Sequence, residues 1–339
     1  MSQTQSVAVP GRSPAYVEPA AAKLAGLGVL GLVGLAGLVQ IGRGGLGASR
    51  GLGKDGPPRP RAPLAGYASA ESRGLHGAAA LLALSVLADS AVEHYRGSFD
   101  NPGMYAPLIT SALTLLAGTS GATGRSERRQ RGARAGVYAA AAAVGAVGTG
   151  FHLYNLLRRP GGASWLNLFY AAPIGAPAAL SLAGLVGLAS DHLEAAPMET
   201  SPKIFGLPAG RALAALTGLG LAGTVGEAGL LHFRGAFHNP FMFAPVAVPP
   251  IASALMLKAA FAPRSRRAPW LTRCWLGLTA LLGIAGVGFH AFGVSRAMGG
   301  WRNWSQNLVD GPPLPAPPSF AALSLAALAV LSLLEKAHD

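Results

Sequence analysis

Long uncharged apolar runs dominate the chain and are separated by shorter polar segments. A helix needs about 20 apolar residues to cross the roughly 30 Å hydrocarbon core of a bilayer. Runs of this length predict an all-α integral membrane protein with about nine transmembrane helices. The predicted spans are 20–42, 74–95, 104–122, 135–157, 169–191, 206–232, 241–262, 271–294 and 316–334.

Composition narrows the class of protein further. Of the residues, 51% are hydrophobic and 12% are charged, about half the charged fraction of a soluble domain. The single cysteine, Cys274, excludes a disulfide framework and a CxxC redox or metal motif. The net charge of +13 would suggest nucleic-acid binding in a soluble protein, but in a membrane protein basic residues also set the orientation.

The basic residues predict how the chain is oriented. Of the 27 Lys and Arg residues, 19 lie in alternate connections and in the C-terminal tail. The positive-inside rule places those connections in the cytoplasm, so we expect a bacterial inner-membrane protein with its N-terminus outside and its C-terminus inside. The positive charge is then explained by topology and by attraction to anionic lipids, and no nucleic-acid partner is expected. The basic connections are 43–73, 119–135, 192–211 and 258–273.

One segment of the chain occurs twice. Residues 94–107 recur as 232–245 with nine identities in fourteen positions, at an offset of 138. At the same offset a Gly-x-x-Gly-x-Gly-Phe-His motif that ends at His152 recurs with its end at His290. Two further pairs match at this offset, Arg158 with Arg296 and Asp89 with Glu227.

The duplication predicts two tandem four-helix units after one extra N-terminal helix. Both units should cross the membrane in the same direction, because each contains an even number of spans. We expect two four-helix bundles side by side. The predicted divisions are 1–73 for the first span and a Gly-, Pro- and Arg-rich cytoplasmic linker, 74–191 and 205–335 for the units, and 192–204 for the linker between them.

Four repeated histidines gather at the predicted outer side, His94 and His152 in the first unit and His232 and His290 in the second. In one interpretation each pair ligates the iron of a b-type haem. The glycines of the repeated motif, such as Gly145, would let a flat macrocycle lie against the helix. Arginines would neutralise the haem propionates, either Arg96 and Arg234 or Arg158 and Arg296.

A second interpretation is a quinone site. Asp89 and Glu227 lie five residues before His94 and His232, about 7.5 Å deeper along the helix. Carboxylates and histidines at two depths can exchange the protons that accompany quinone chemistry. In a third interpretation all these residues are structural and bond the backbone of the Asn-Pro hairpins. Outside the repeated set, His76 corresponds to Ala214 in the second unit and is expected to be solvated.

The repeated set favours a membrane subunit of a bacterial respiratory oxidoreductase. Such a subunit would pass electrons between the quinone pool and a separate redox subunit docked on the outer hairpins 95–104 and 233–241. The architecture resembles that of the quinone-reactive membrane subunits of bacterial molybdoenzyme complexes. Two alternatives remain, a proton- or cation-coupled transporter that uses Asp89 and Glu227, and a purely structural membrane anchor.

Overall fold

A computed structural model describes residues 68–124, 128–196, 202–261 and 269–336 of the chain. The predicted first span, 20–42, and residues 43–67 of the predicted cytoplasmic linker lie outside the described residues. The structure therefore bears on eight of the predicted spans, which are those of the two repeated units.

The described part of the chain is almost entirely helical. The first unit contains α1 (Ala68–Arg96), α2 (Tyr105–Ala122), α3 (Arg128–Leu157), the short α4 (Trp165–Tyr170) and α5 (Gly175–Ala195). The second contains α6 (Ala209–Arg234), α7 (Ala244–Ala247), α8 (Pro249–Phe261), α9 (Pro269–Arg296), the short α10 (Trp304–Asp310) and α11 (Pro318–Lys336). Between the units, β1 (Lys203–Ile204) pairs with β2 (Leu207–Pro208) in a small antiparallel ribbon that the sequence pattern does not predict.

Six spans within the described residues are long and apolar enough to cross a membrane. They are Ala70–Arg96, Gln130–Leu157, Ala209–Arg234, Pro240–Phe261, Trp270–Arg296 and Pro318–Glu335. Large apolar side chains outside the cavity are exposed on these spans, as at Ile284 (64%) and Leu325 (45%), which suits contact with lipid tails. The predicted class, a helical multi-pass membrane protein, is confirmed at this level.

Two further long helices, α2 and α5, are not among these six. In α2 the hydroxyl groups of Thr110 and Thr114 donate hydrogen bonds of 2.7 Å to carbonyls one turn earlier in the same helix. Because these polar groups are satisfied within the helix, their burial costs much less than that of free hydroxyls. Both helices also pack against other helices of the first unit.

One predicted boundary is wrong. The predicted span 169–191 contains a break, since α4 ends at Tyr170 and α5 begins only at Gly175. Pro173 lies in the break and disfavours helical backbone at the residue before it. The second unit has the same arrangement, with short α10 followed by a proline-rich stretch and then α11.

Each unit is a four-helix bundle, and the two bundles meet through the first and last long helices of each unit. In the first unit α1 and α3 each pack on α2 and α5, so α1 and α3 are diagonal to each other. In the second unit α6 and α9 are diagonal in the same way, between α8 and α11. The units meet where α1 packs on α11 and α5 packs on α6.

The core is continuous across this junction. One cluster of buried side chains includes Leu82 of α1, Val186 of α5, Leu213 of α6 and Leu323 of α11. Helices this apolar pack in a membrane through close van der Waals contact rather than through hydrophobic exclusion of water. The contact between the units is therefore part of the main core of the described chain.

Candidate functional site

The first long helix of each unit has a histidine in its last turn, and this histidine is hydrogen-bonded to the turn that follows the helix. His94, in the last turn of α1, places Nδ1 2.7 Å from the carbonyl oxygen of Met104. His232, in the last turn of α6, places Nδ1 2.8 Å from the carbonyl oxygen of Met242. We refer to this end of the molecule as the histidine end.

The asparagines of the repeated hairpins hold these turns. Asn101 Oδ1 accepts the backbone N–H of Gly103 at 2.8 Å, and Asn239 Oδ1 accepts that of Phe241 at 3.0 Å. In each case a proline follows the asparagine and starts a turn of 3₁₀ helix, where its missing N–H has no cost. The Asn-Pro motif therefore positions the carbonyl group that the histidine contacts.

Aromatic rings fix the same histidines from a second direction. The Phe99 ring lies edge-on to His94 at 6.2 Å between ring centroids and stacks on Tyr105 at 4.7 Å. Phe237 lies edge-on to the histidine of α6 at 6.2 Å and stacks on Phe243 at 4.5 Å. Each imidazole is thus held in one orientation by a hydrogen bond and a ring contact.

The second histidine of each unit is held in a comparable way. His152, near the end of α3, places Nδ1 2.5 Å from the carbonyl oxygen of Pro173. His290, near the end of α9, places Nδ1 2.7 Å from the carbonyl oxygen of Pro313. Both carbonyls belong to the proline-containing breaks that precede α5 and α11. These breaks, which the hydropathy pattern does not predict, are therefore part of the site.

These four hydrogen bonds determine the tautomer of all four rings. A carbonyl oxygen only accepts, so each Nδ1 must carry the hydrogen and the neutral ring keeps its lone pair on Nε2. No described residue forms a hydrogen bond to any of the four Nε2 atoms. Histidines that ligate metals in proteins show this pattern, with one ring nitrogen on the metal and the other bonded to a carbonyl or carboxylate.

The histidines of each unit lie near each other on diagonal helices. His94 and His152 are close enough to interact electrostatically, and so are His232 and His290. Neighbouring helix axes are about 8–10 Å apart, which makes the diagonal of a four-helix bundle about 11–14 Å. A diagonal of this width leaves space between two inward-facing imidazoles.

A cavity of about 2570 Å³ lies at the histidine end, within and between the units. Pockets for a single drug-sized ligand are usually about 300–1,000 Å³, so this space is large enough for more than one such ligand. Helix residues from both units line it, and most of the lining is apolar. The cavity brings together nine of the ten predicted site residues, namely His94, His152, His232, His290, Asp89, Glu227, Arg96, Arg234 and Arg296.

The two carboxylates of the cavity differ in their contacts. Glu227 Oε1 accepts the backbone N–H of Gly175, the first residue of α5, at 3.1 Å, which links the second unit to the first. Asp89 has no hydrogen-bond partner among the described residues, although it lies close enough to Glu227 to interact electrostatically. Pro315 corresponds to Gly175 in the second unit, and because it lacks an N–H it cannot bond Asp89 in the same way.

The predicted arginines Arg96 and Arg234 line the cavity but have other contacts. Arg96 Nη1 lies 3.1 Å from a carboxylate oxygen of Glu93, one turn earlier in α1. Arg234 Nη1 donates a 3.0 Å hydrogen bond to the carbonyl oxygen of Phe169 in α4. Both guanidinium groups are exposed enough to exchange these weak contacts for an anionic group of a ligand.

Of the other predicted pair, Arg158 and Arg296, only Arg296 lies at the cavity. Arg296 lines the cavity, and its guanidinium carbon lies 5.6 Å from the centre of the Phe292 ring. Arg158 is absent from the described lining and lies 5.8 Å from the centre of the Tyr154 ring. Its neighbour Arg159 does line the cavity.

The glycines of the repeated motif have two roles. A Cβ on Gly145 would overlap Ser181 of α5, and a Cβ on Gly283 would overlap Ala321 of α11. These two glycines permit close helix packing and do not line the cavity. Gly148 and Gly286 do line the cavity, but a Cβ at either would also press on a proline, Pro177 of α5 or the residue before α11, Pro317.

A second polar cluster lies at the opposite end of the first unit. His76 is completely buried, so the expectation that it is solvated is wrong. Its Nδ1 lies 2.8 Å from the Tyr138 hydroxyl, and its Nε2 lies 3.7 Å from carboxylate oxygens of both Asp191 and Glu194. Arg134 contacts the same two carboxylates. The repeat comparison could not reveal this cluster, because the second unit has apolar residues at most of these positions.

The fold and the site define a class, the multi-pass helical membrane proteins with a large cavity lined by histidines and carboxylates. Comparison of the chain with protein-family models, with curated proteins and with solved structures finds no match in any of the three.

Proposed function

We propose that this chain is the membrane subunit of a bacterial respiratory oxidoreductase, with b-type haem at its histidine pairs. The observation that carries the proposal is the shared state of the four histidines. Each donates its Nδ1 hydrogen to a carbonyl oxygen and keeps the Nε2 lone pair for a ligand in the cavity. Haem iron in membrane bundles accepts two such nitrogens from facing helices.

Each unit would hold its own haem, between His94 and His152 in the first and between His232 and His290 in the second. The diagonal placement of their helices suits a flat group between two imidazoles. Arg96 and Arg234, and on the other side Arg296, are the lining cations that would meet the propionates. The apolar lining would hold the porphyrin ring.

Quinone would occupy the space between the units. Asp89 and Glu227 line this space from α1 and α6 and are close enough to interact electrostatically. A quinone that gains two electrons also takes up two protons, so it needs groups that can release and rebind them. Asp89 is the better candidate for proton exchange, since Glu227 is held by Gly175.

The topology that accompanies this function has nine spans and two units of equal orientation, with the histidine end outside. The uneven distribution of Lys and Arg supports this orientation. Because the four cavity histidines lie together at one end of the described bundle, the redox chemistry would be one-sided. A separate redox subunit would dock on the hairpins 95–104 and 233–241.

Haem content of matched variants tests the proposal. The purified chain should contain about two b-type haems, and His94→Ala or His232→Ala should each remove about half of the haem. His192→Ala is the matched control, because His192 is exposed and distant from the cavity lining. Haem content unchanged in both cavity variants, or absent from the wild-type chain expressed with sufficient haem supply, would refute the haem assignment.

A second candidate function is proton- or cation-coupled transport. The observation that favours it is the electrostatic contact between Asp89 and Glu227 inside a cavity shared by two units. Ionisable residues within membrane spans often mark an ion pathway. Liposomes containing the purified chain would then take up protons or cations along a gradient, and Asp89→Asn would abolish the uptake. A haem-containing protein without such uptake would exclude this alternative.

A further inference from the structure

The polar cluster at the end of the first unit opposite the histidines comprises His76, Arg134, Tyr138, Asp191 and Glu194. The His76 side chain has no exposure, and that of Arg134 is 4% exposed. The cluster joins α1, α3 and α5. A cluster of this kind is expensive to bury unless each charge and each polar atom has a partner.

The distances between the His76 imidazole and the two carboxylates are longer than hydrogen bonds. His76 Nε2 lies 3.7 Å from Asp191 Oδ1 and 3.7 Å from Glu194 Oε2. Hydrogen bonds between nitrogen and oxygen are about 2.7–3.2 Å long, so neither separation is a hydrogen bond. Two ligand atoms on a tetrahedral zinc ion, with bonds of about 2.0–2.2 Å, are separated by about 3.3–3.6 Å. The observed separations are close to that value.

Several polar atoms of the cluster have no hydrogen bond. His76 Nε2, Arg134 Nη1 and Asp191 Oδ2 are buried without a partner. Three potential ligand atoms, one each from His76, Asp191 and Glu194, lie within 4.8 Å of one another. The unpartnered imidazole nitrogen therefore faces two carboxylates across a gap, which is the arrangement that an ion would fill.

The surrounding groups match the second layer of a metal site. The Tyr138 hydroxyl lies 2.8 Å from His76 Nδ1 and so orients the imidazole. Arg134 Nε donates to Asp191 Oδ1 at 3.0 Å, and its Nη2 lies 2.6 Å from both carboxylates. Ligating carboxylates are commonly hydrogen-bonded in this way. Because Asp191 Oδ1 accepts both of these bonds from Arg134, the unpartnered Asp191 Oδ2 is the oxygen that remains for a metal.

The protein provides space for this arrangement and leaves it with a negative charge. A Cβ on Gly121 would overlap the His76 ring, and a Cβ on Gly187 would overlap the Tyr138 ring. With a neutral imidazole, the side chains of the cluster carry two carboxylates and one guanidinium, a net charge of about −1, and Arg131 outside the cluster is close enough to Asp191 to offset part of it. The Glu194 side chain is 23% exposed and provides an entrance.

We propose that His76, Asp191 and Glu194 form a binding site for one divalent transition-metal ion of the zinc type. A nitrogen and two carboxylate oxygens suit zinc, iron or manganese better than magnesium or calcium, which prefer oxygen ligands alone. The ion would fasten α1 to α5 at the end opposite the large cavity. The second unit would have no equivalent site, since Ala214 and Leu331 replace His76 and Asp191 there.

Zinc binding by the full chain tests the proposal. The purified, chelator-treated chain is dialysed against zinc, and bound metal is measured by mass spectrometry. His76→Gln should bind one zinc ion per chain fewer than wild type, because glutamine retains polarity but replaces the imidazole. His192→Gln is the control, as it changes an exposed histidine next to Asp191. Any zinc bound at the four cavity histidines is present in every sample, so it does not change the difference in zinc content between wild type and variant.

The result that would overturn the proposal is equal zinc content in wild type, His76→Gln and His192→Gln. If His76→Gln does not elute as a single species, Glu194→Gln replaces it, since this partly exposed side chain tolerates change better. The same loss of one ion is expected, and an unchanged content again refutes the site. As a second readout, zinc should raise the unfolding temperature of wild type by more than it raises that of the variant.

Discussion

At the residue scale, the hydrogen bond between Glu227 and Gly175 links the two units. The carboxylate accepts an N–H at the start of α5, where the helix dipole also favours negative charge. A Cβ on Gly175 would overlap this carboxylate, so only glycine permits the approach. The equivalent position opposite Asp89 is Pro315, and the duplicated carboxylates have therefore acquired different environments.

This difference predicts different effects of substitution at the two carboxylates. Asp89→Asn should leave the stability within about 0.5 kcal/mol of wild type, since no described hydrogen bond is lost, and should slow quinone-linked turnover. Glu227→Ala should cost about 1 kcal/mol, because it leaves the Gly175 N–H without its acceptor. Glu227→Gln retains an acceptor and serves as the control. Thermal unfolding in detergent and quinol oxidation rates measure the two effects.

The opposite outcome would assign Asp89 a structural role. In that case Asp89→Asn would reduce the amount of assembled protein, while the surviving protein would have the specific activity of wild type.

The sequence identified the cavity residues through the duplication and missed the cluster around His76. The four histidines were found because each recurs at a fixed offset. His76 and Arg134 correspond to Ala214 and Thr272, so the same comparison gave no sign of them. Their partners lie more than 55 residues away along the chain, and only the packing of α1, α3 and α5 brings them together.

At the scale of elements, the two repeated hairpins share a strained backbone. Ser98 and Phe99 have φ values of 57° and 50°, and Ala236 and Phe237 have φ values of 56° and 45°. Residues other than glycine adopt this left-handed region at a cost of about 1–2 kcal/mol each. Packing of the phenylalanine rings between the histidines and the following helices maintains the conformation.

The strained backbone at Ala236 predicts how substitutions there change the unfolding temperature. Glycine has no penalty in the left-handed region, so Ala236→Gly should keep or raise the unfolding temperature despite its greater entropy in the unfolded chain. Ala236→Val should lower it, because a β-branched residue is a poor fit to this conformation. The same order is expected at the matched position Ser98. A valine variant as stable as the glycine variant would show that the hairpin is not strained.

Hydropathy located the spans well but not their interruptions. Within the described residues the predicted spans overlap the observed helices, since long uncharged runs have few other stable environments. However, α1 begins at Ala68 and α3 at Arg128, well before the predicted starts at 74 and 135. The run 168–172 is free of charged and amide side chains through the end of α4, so hydropathy joins two helices that the backbone separates. Pro173 was the available signal, and its carbonyl contacts His152.

At the scale of the whole molecule, the continuous core makes the two units one structure. The buried cluster extends through α1, α5, α6 and α11, and the cavity opens between these same helices at the histidine end. A ligand in the cavity would therefore contact both units. This arrangement suits transfer of electrons between two cofactors and a third site in the middle.

The orientation of the whole molecule can be tested with its native cysteine. Cys274 is exposed near the start of α9, at the end opposite the histidines. An impermeant maleimide added to intact spheroplasts should leave Cys274 unlabelled and should label it after permeabilisation. In a Cys274→Ser background, Ser98→Cys and Ala236→Cys should react from outside and Gly132→Cys should not. The reverse pattern would place the histidine end in the cytoplasm.

The most direct test of the proposed redox role is the absorption spectrum of the purified wild-type chain as a quinol is added. We expect a Soret band of oxidised b-type haem before addition, and a shift of this band with a sharp α-band as the quinol reduces the iron. Asp89→Asn should slow the change without altering the final spectrum. A preparation with no haem spectrum, or a haem spectrum that quinol leaves unchanged, would contradict the account.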